Sequence, residues 1–175
     1  MRNVDKIKKQ YVHLFIALRR KKDNPELKDL CFREIDLYDD SYETLLSRVK
    51  KVEGIWRIHK TINKRDTHKA LKLLQHEIIE KGTEIAETLP STWKTCLMKK
   101  EAKAERNILL DIDSAEAYDE VYCILEEKGI EIEQEIESVS GWHVVVNAKK
   151  VDTRLFEGIK DLTFQRDGYV FIEQV

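Results

Sequence analysis

Ile108-Leu109-Leu110-Asp111-Ile112-Asp113-Ser114 is an apolar run that ends in two acids one residue apart. In an extended strand successive side chains alternate faces, so Asp111 and Asp113 share one face while Leu110 and Ile112 point into a core. Two carboxylates on one strand face repel each other unless a cation lies between them. Hard divalent ions such as Mg²⁺ accept carboxylate oxygens and leave positions for phosphate oxygens and water. The spacing therefore points to a metal-dependent phosphoryl-transfer centre. It also suits a strand end turning into a helix, with Asp113 or Ser114 as the N-cap. The stretch alone leaves both open.

Downstream, the pattern predicts a strand over 107–112 and a helix over about 115–128 with Ala117, Val121, Ile124 and Leu125 inward, closed by Gly129. A strand over 130–137 turns through Ser138-Val139-Ser140-Gly141 into a second strand from Trp142. A short helix from Thr153, a strand over 162–166, a turn at Asp167-Gly168 and a last strand from Tyr169 complete the chain. This βαββαββ order predicts a small, mostly antiparallel sheet backed by helices. If the Trp142 strand lies beside the acids, His143 projects near Asp111 and Asp113. There its imidazole can donate to a triphosphate, and Ser140 can add a hydroxyl and a backbone N–H.

Upstream, Tyr11 to Leu18 reads as a strand or short apolar helix leading into Arg19-Arg20-Lys21-Lys22. Phe32 to Tyr38 alternates as a strand does, and Asp39-Asp40-Ser41 can cap a helix through about Val52. Ile55 to Ile62 also alternates, with Arg57, His59 and Thr61 on one face and Trp56, Ile58 and Ile62 on the other. Asp66 or Thr67 caps a long helix expected to bury Ala70, Leu71, Leu74 and Ile78 and to stop at Gly82. The lysine-rich stretch from Leu89 to Glu105 is expected to cross the surface between two halves of the chain.

Those halves differ in charge. Residues 1–105 carry 24 Lys and Arg against 17 Asp and Glu, whereas residues 106–175 carry 7 against 16. A basic front and an acidic back suit a protein that holds polyanions with one part and cations with the other. No apolar run approaches the roughly 20 residues that span a bilayer. No signal-like apolar stretch follows Met1-Arg2-Asn3-Val4-Asp5-Lys6, so cytoplasmic residence without membrane association is expected. Cys31, Cys96 and Cys123 form neither a disulfide framework nor a zinc spacing.

Two motifs together carry a family resemblance. Leu109-Leu110-Asp111-Ile112-Asp113 matches an hhDhD strand, and Ser140-Gly141-Trp142-His143 matches an S-G-x-H strand, with His143 thirty residues past Asp113. The pair resembles the archaeo-eukaryotic primase superfamily, in particular phage- and plasmid-type primase-polymerase cores. The segment from Asp152-Thr153-Arg154 through Gln165-Arg166-Asp167-Gly168 is similar to the tail of phage-type members. The likeness covers residues 106–175 well and 54–105 loosely.

The resemblance implies an α/β (α+β) catalytic domain with a basic N-terminal subdomain (1–105) and an RRM-like metal-binding subdomain (106–175) forming a cleft. It implies a DNA primase or polymerase that transfers nucleotides from NTPs or dNTPs on a single-stranded DNA template, in concert with a replicative helicase. Asp111 and Asp113 would bind two Mg²⁺ or Mn²⁺ ions, with Asp167 as third acid and Glu173 or Asp161 as its competitors. Ser140 and His143 would contact nucleotide phosphates, with Arg57, Asn63 and Arg65 as further nucleotide holders. Two other readings stand beside it. One is a non-catalytic nucleic-acid- or nucleotide-binding module of the same fold. The other is a Toprim-type metal nuclease or primase, which needs a glutamate at the end of an earlier strand, whereas Glu101 and Glu105 lie in a charged, helical-looking stretch.

Overall fold

The structure is a computed structural model that describes residues 9–175. The opening stretch Met1 to Lys6, read above for a leader, lies outside them. The elements run β1 (Tyr11–Val12), β2 (Leu14–Arg19), β3 (Leu30–Ile35), α1 (Ser41–Val49), β4 (Arg57–Thr61), β5 (Arg65–Asp66), α2 (Thr67–Lys81) and α3 (Leu89–Met98). The second half adds β6 (Asn107–Ile112), α4 (Ala115–Glu127), β7 (Ile132–Glu137), β8 (Trp142–Asn147), β9 (Leu162–Gln165) and β10 (Tyr169–Gln174). Single 3₁₀ turns occupy Gly82–Ile85, Lys100–Ala102 and Thr153–Phe156. This is an α+β protein with antiparallel sheets. None of the described helices is long and apolar enough to cross a membrane.

Two four-stranded sheets, ordered β10-β4-β2-β3 and β7-β8-β6-β9, and the small β1-β5 ladder make up the β-structure. β6 is central in its sheet and buried on both faces. Ile108, Leu110 and Ile112 pack with Val144 and Val146 beneath Ala117, Val121 and Leu125 of α4. On the opposite face Leu109 meets Val145, Ile62 and Val170 in an apolar seam. Ile62 follows β4 and Val170 lies in β10, so this seam joins the two sheets face to face. In the first sheet Ala17 and Ile58 pack beneath Leu45 and Val49 of α1, with Trp56 alongside.

Local rules account for the helix boundaries. The Asp66 carboxylate accepts from the His68 and Lys69 amides to cap α2, and Gly82 ends that helix at φ 56°. Ser114 caps α4 through the Ala117 amide, 3.3 Å from its hydroxyl. α1 has no side-chain N-cap; the Ser41 hydroxyl instead accepts from the Tyr38 amide at 3.0 Å, in the turn that precedes the helix.

Three expectations need correction. The last strand does not extend the second sheet. β10 pairs with β4 of the first sheet, and Trp56 and Val175 exchange backbone hydrogen bonds at 2.8 and 2.9 Å. Residues 169–174 therefore belong to the front half, across the expected boundary at 105/106. The stretch from Leu89 does not merely cross the surface. Pro90 opens α3, whose Cys96 and Leu97 are fully buried against Ala70 and Leu74. On α2 itself the inward stripe is narrower than expected, since Leu71 and Ile78 remain 47% and 40% exposed. Each residue turns the helix by 100°, so Leu71 faces away when Ala70 faces the core.

Leu110→Ala should lower the unfolding free energy by roughly 2–5 kcal/mol, whereas Leu71→Ala should change it by no more than about 0.5 kcal/mol. Urea titrations of both variants followed by circular dichroism check this contrast. Equal losses would contradict the assignment of the α2 stripe.

Candidate active site

The register of β6 and β8 sets Asp111 opposite His143. The Phe171 amide donates to His143 Nδ1 at 3.2 Å, which leaves the neutral ring's proton on Nε2. That nitrogen lies 3.2 Å from Asp111 Oδ1. On the other side, Gln165 Nε2 donates to Asp111 Oδ2 at 3.1 Å from β9, the second neighbour of β6. Both oxygens of this half-buried carboxylate thus have protein donors, as desolvation requires.

Asp113 differs. Its backbone N–H donates to the Asp161 carbonyl at 2.9 Å, and its carboxylate has no partner among the described residues. The N-cap role open to it in the sequence belongs to Ser114. The hairpin Ser138-Val139-Ser140 closes over this end of β6 because Gly141 allows it. A Cβ at Gly141 would lie 1.9 Å from the Ile112 carbonyl oxygen, a distance no side chain tolerates.

These residues form one wall of a cleft of about 270 Å³. The other wall is basic, with Arg57 and His59 from β4 and Arg20 and Lys22 from the turn after β2. Arg57 is ion-paired with Asp23, while its Nε is buried with no hydrogen-bond partner among the described residues. His59 Nδ1 is likewise buried and unpartnered. Burial, reinforced by the nearby Arg20 cation, pushes the His59 imidazole down to about 4. Arg20 and Lys22, with no carboxylate partner among the described residues, and the Asp23-paired Arg57 stand across from Asp111 and Asp113, and the gap suits a phosphate chain carrying a divalent ion.

The sequence-derived set divides here. Asp111, Asp113, Ser140, His143 and Arg57 line the cleft together. Asn63, Arg65 and Asp167 do not. Asn63 is fully buried and ties the two halves. Its Oδ1 accepts from the Asn107 amide at 2.7 Å, and its Nδ2 donates to the Asn107 and Arg166 carbonyls at 3.2 and 3.4 Å. Arg65 is fully buried and ion-paired with Asp167, whose other oxygen lies 3.0 Å from Lys103 Nζ. Two cations already neutralise Asp167, which removes it as the third metal acid. Glu173 accepts from the Tyr42 hydroxyl, and Asp161 presents its backbone carbonyl to Asp113. Glu105 is paired with Lys64 at 3.2 Å and Glu101 sits on a 3₁₀ turn, so neither extends an earlier strand toward the acids.

Among the described residues no group of three His, Cys, Asp or Glu converges as a metal centre. The donor set that fits an ion is Asp111 with Asp113. Mg²⁺ accepts such a pair when substrate phosphates and waters complete its shell. Sequence reasoning missed Gln165 and did not place His59, Arg20 and Lys22 in the site. Only the alternation that puts Arg57 and His59 on one strand face pointed toward them. No protein-family model, curated protein or solved structure matches this chain. Its functional reading therefore stands on the cleft.

Because His59 is neutral in the folded state down to about 4, the unfolded chain takes up its proton first, near the ordinary value of 6.5. Stability should therefore fall as pH drops from 6.5 toward 4. His13, lowered chiefly by burial, acts in the same direction. Thermal melts between pH 7 and 5 should show this slope, and His59→Gln should flatten it. An unchanged slope in the variant would refute the burial of a neutral His59.

Proposed function

We propose that this chain catalyses template-directed nucleotidyl transfer as a primase-polymerase. It would use nucleoside triphosphates, single-stranded DNA as template, and Mg²⁺ or Mn²⁺. The observation that carries the reading is the two-walled cleft, with Asp111 and Asp113 facing Arg20, Lys22 and Arg57. Other features support it. The antiparallel strand order β7-β8-β6-β9, with one helical and one 3₁₀ crossover, is compatible with this reading. The hhDhD and S-G-x-H motifs lie on the paired strands β6 and β8, which supports the reading.

In this transfer a primer 3′-hydroxyl gives up its proton to solvent as its oxygen bonds to the α-phosphorus, the bond from that phosphorus to the α–β bridging oxygen breaks, and pyrophosphate leaves. When bound, the divalent ion supplies Lewis-acid stabilisation of charge on the phosphate oxygens. Asp111 and Asp113 would hold it between the strand and the substrate. Arg20, Lys22 and Arg57 would neutralise the triphosphate and the departing pyrophosphate, an electrostatic contribution that dominates phosphoryl transfer. His143 would orient Asp111 through its Nε2 proton, with Phe171 fixing the tautomer. Ser140, on the hairpin over Asp113, would donate to a phosphate oxygen.

One observation favours the binding-module reading instead. Asp111 is engaged by His143 and Gln165, and among the described residues no third carboxylate joins the pair. Such a site would hold a metal–nucleotide complex without turning it over.

The deciding experiment supplies purified protein with single-stranded DNA, labelled nucleotides and Mn²⁺. Extension products are expected, and Asp111→Ala/Asp113→Ala should reduce them by roughly a hundredfold or more. Absence of product on every template, with Mn²⁺-dependent nucleotide binding retained, would replace the transferase reading by the binding module. Equal product from the variant would remove the acids from the mechanism altogether.

A further inference from the structure

A second concavity lies at the opposite end of β6 from the acids. It is a groove of about 770 Å³ lined by Lys69, Lys100, Lys103, Arg106 and Arg166. Ile108 and Ala148 lie among these cations, and the acids present are Glu101 and Asp152. Asp152 is already clamped by Arg154, at 3.0 Å from Nε and 2.7 Å from Nη2. Of the five cations, only Lys103 has a carboxylate partner among the described residues, Asp167 at 3.0 Å. The other four stand in one groove of a chain whose net charge is −2. Like charges gathered this way repel one another, and a polyanion relieves them with release of its counterions.

The cations come from both halves of the protein. Lys69 lies in the first turn of α2, Lys100 and Lys103 follow α3, Arg106 leads into β6, and Arg166 follows β9. The groove thus crosses the junction tied by Asn63 and the Arg65–Asp167–Lys103 cluster. Ile108, which lines it, is roughly 17 Å along β6 from Asp113, about five base-pair steps of a duplex.

We infer that this groove binds the phosphate backbone of a nucleic-acid strand, at a site separate from the catalytic cleft. The inference rests on the nucleotidyl-transfer reading, which gives the protein a template and a product strand to hold. A concave site with cations contributed from both halves suits a strand lying within it. A flat anionic membrane would reach only the outermost side chains.

The test is fluorescence anisotropy of a labelled oligothymidine, in chelator, so that ion binding at the cleft contributes nothing. Wild-type protein is expected to bind with an affinity that falls steeply with salt. Lys100→Glu/Arg106→Glu should weaken binding by about tenfold and make the slope of log affinity against log salt shallower by roughly 1.4, at about 0.7 for each lost phosphate contact. Reversing the same number of charges at Lys50 and Lys51, outside the groove, should leave the affinity near wild type, and circular dichroism checks that both variants fold. Failure of the wild type to bind would overturn the inference. So would equal weakening by both variants, no weakening by the groove variant, or binding to anionic phosphatidylserine vesicles in place of DNA. The two proposals fail separately. DNA binding through the groove without nucleotide incorporation sinks the transferase alone, and incorporation with a groove variant of unchanged DNA affinity sinks the groove alone.

Discussion

The double burial of β6 is the constraint on which the rest of the structure depends. A strand with apolar side chains on both faces needs a cover on each. Helix α4 covers one side, and the first sheet covers the other, Ile62 and Val170 packing against Leu109 and Val145. The seam that brings the sheets together also brings their functional faces together. Asp111 and His143 continue the inward face of β6 and β8 beyond Leu109 and Val145, at the point where the seam opens into the cleft. The apolar packing therefore fixes where the carboxylates meet the basic wall of β4. β10 completes the arrangement by supplying Val170 to the seam and the Phe171 amide to His143.

Burial also decides how the two acids differ. Asp111, near the seam, loses water and is compensated by donors from two neighbouring strands, which hold it in one geometry. Asp113, beyond the strand end, is exposed and keeps its lone pairs for a ligand. One position is thus ordered before anything binds, while the other is free to respond. The same logic explains the ionic cluster at the junction. Arg65 is fully buried and would be prohibitively costly without Asp167, so that acid belongs to structure rather than chemistry.

This is also why the sequence was readable in some places and opaque in others. The β6–α4 unit, the Ser140-Gly141 hairpin and the Asp66 cap announce themselves through contiguous residues, since alternation, glycine and capping acids act over a turn or less. Pairing partners are not local. Nothing near Tyr169 says that β10 joins Arg57–Thr61, more than a hundred residues earlier, instead of its predecessor β9. Asp167 and Arg65 show the same difficulty in the site. A turn acid and a strand arginine are the residue types that bind metals and phosphates, and equally those that pair in a buried junction. Only the three-dimensional register separates the uses. Gln165 went unnoticed because an amide carries no catalytic signature until it is found on Asp111.

The amide at Gln165 has a consequence for the proposed chemistry. A third acid at this point of β9 would add negative charge against Asp111 and favour a resident cation. A neutral donor does the reverse, because it satisfies Asp111 without any ion and leaves two carboxylates to hold one. Two carboxylates leave a Mg²⁺ shell to be completed by water or by substrate phosphate. The cations Arg20, Lys22 and Arg57 across the cleft oppose an ion alone and welcome one neutralised by a triphosphate. On the proposed reading, ion and nucleotide therefore bind as a pair. Each supplies the charge that makes the other's wall of the cleft favourable, and the site assembles its metal only when substrate is present.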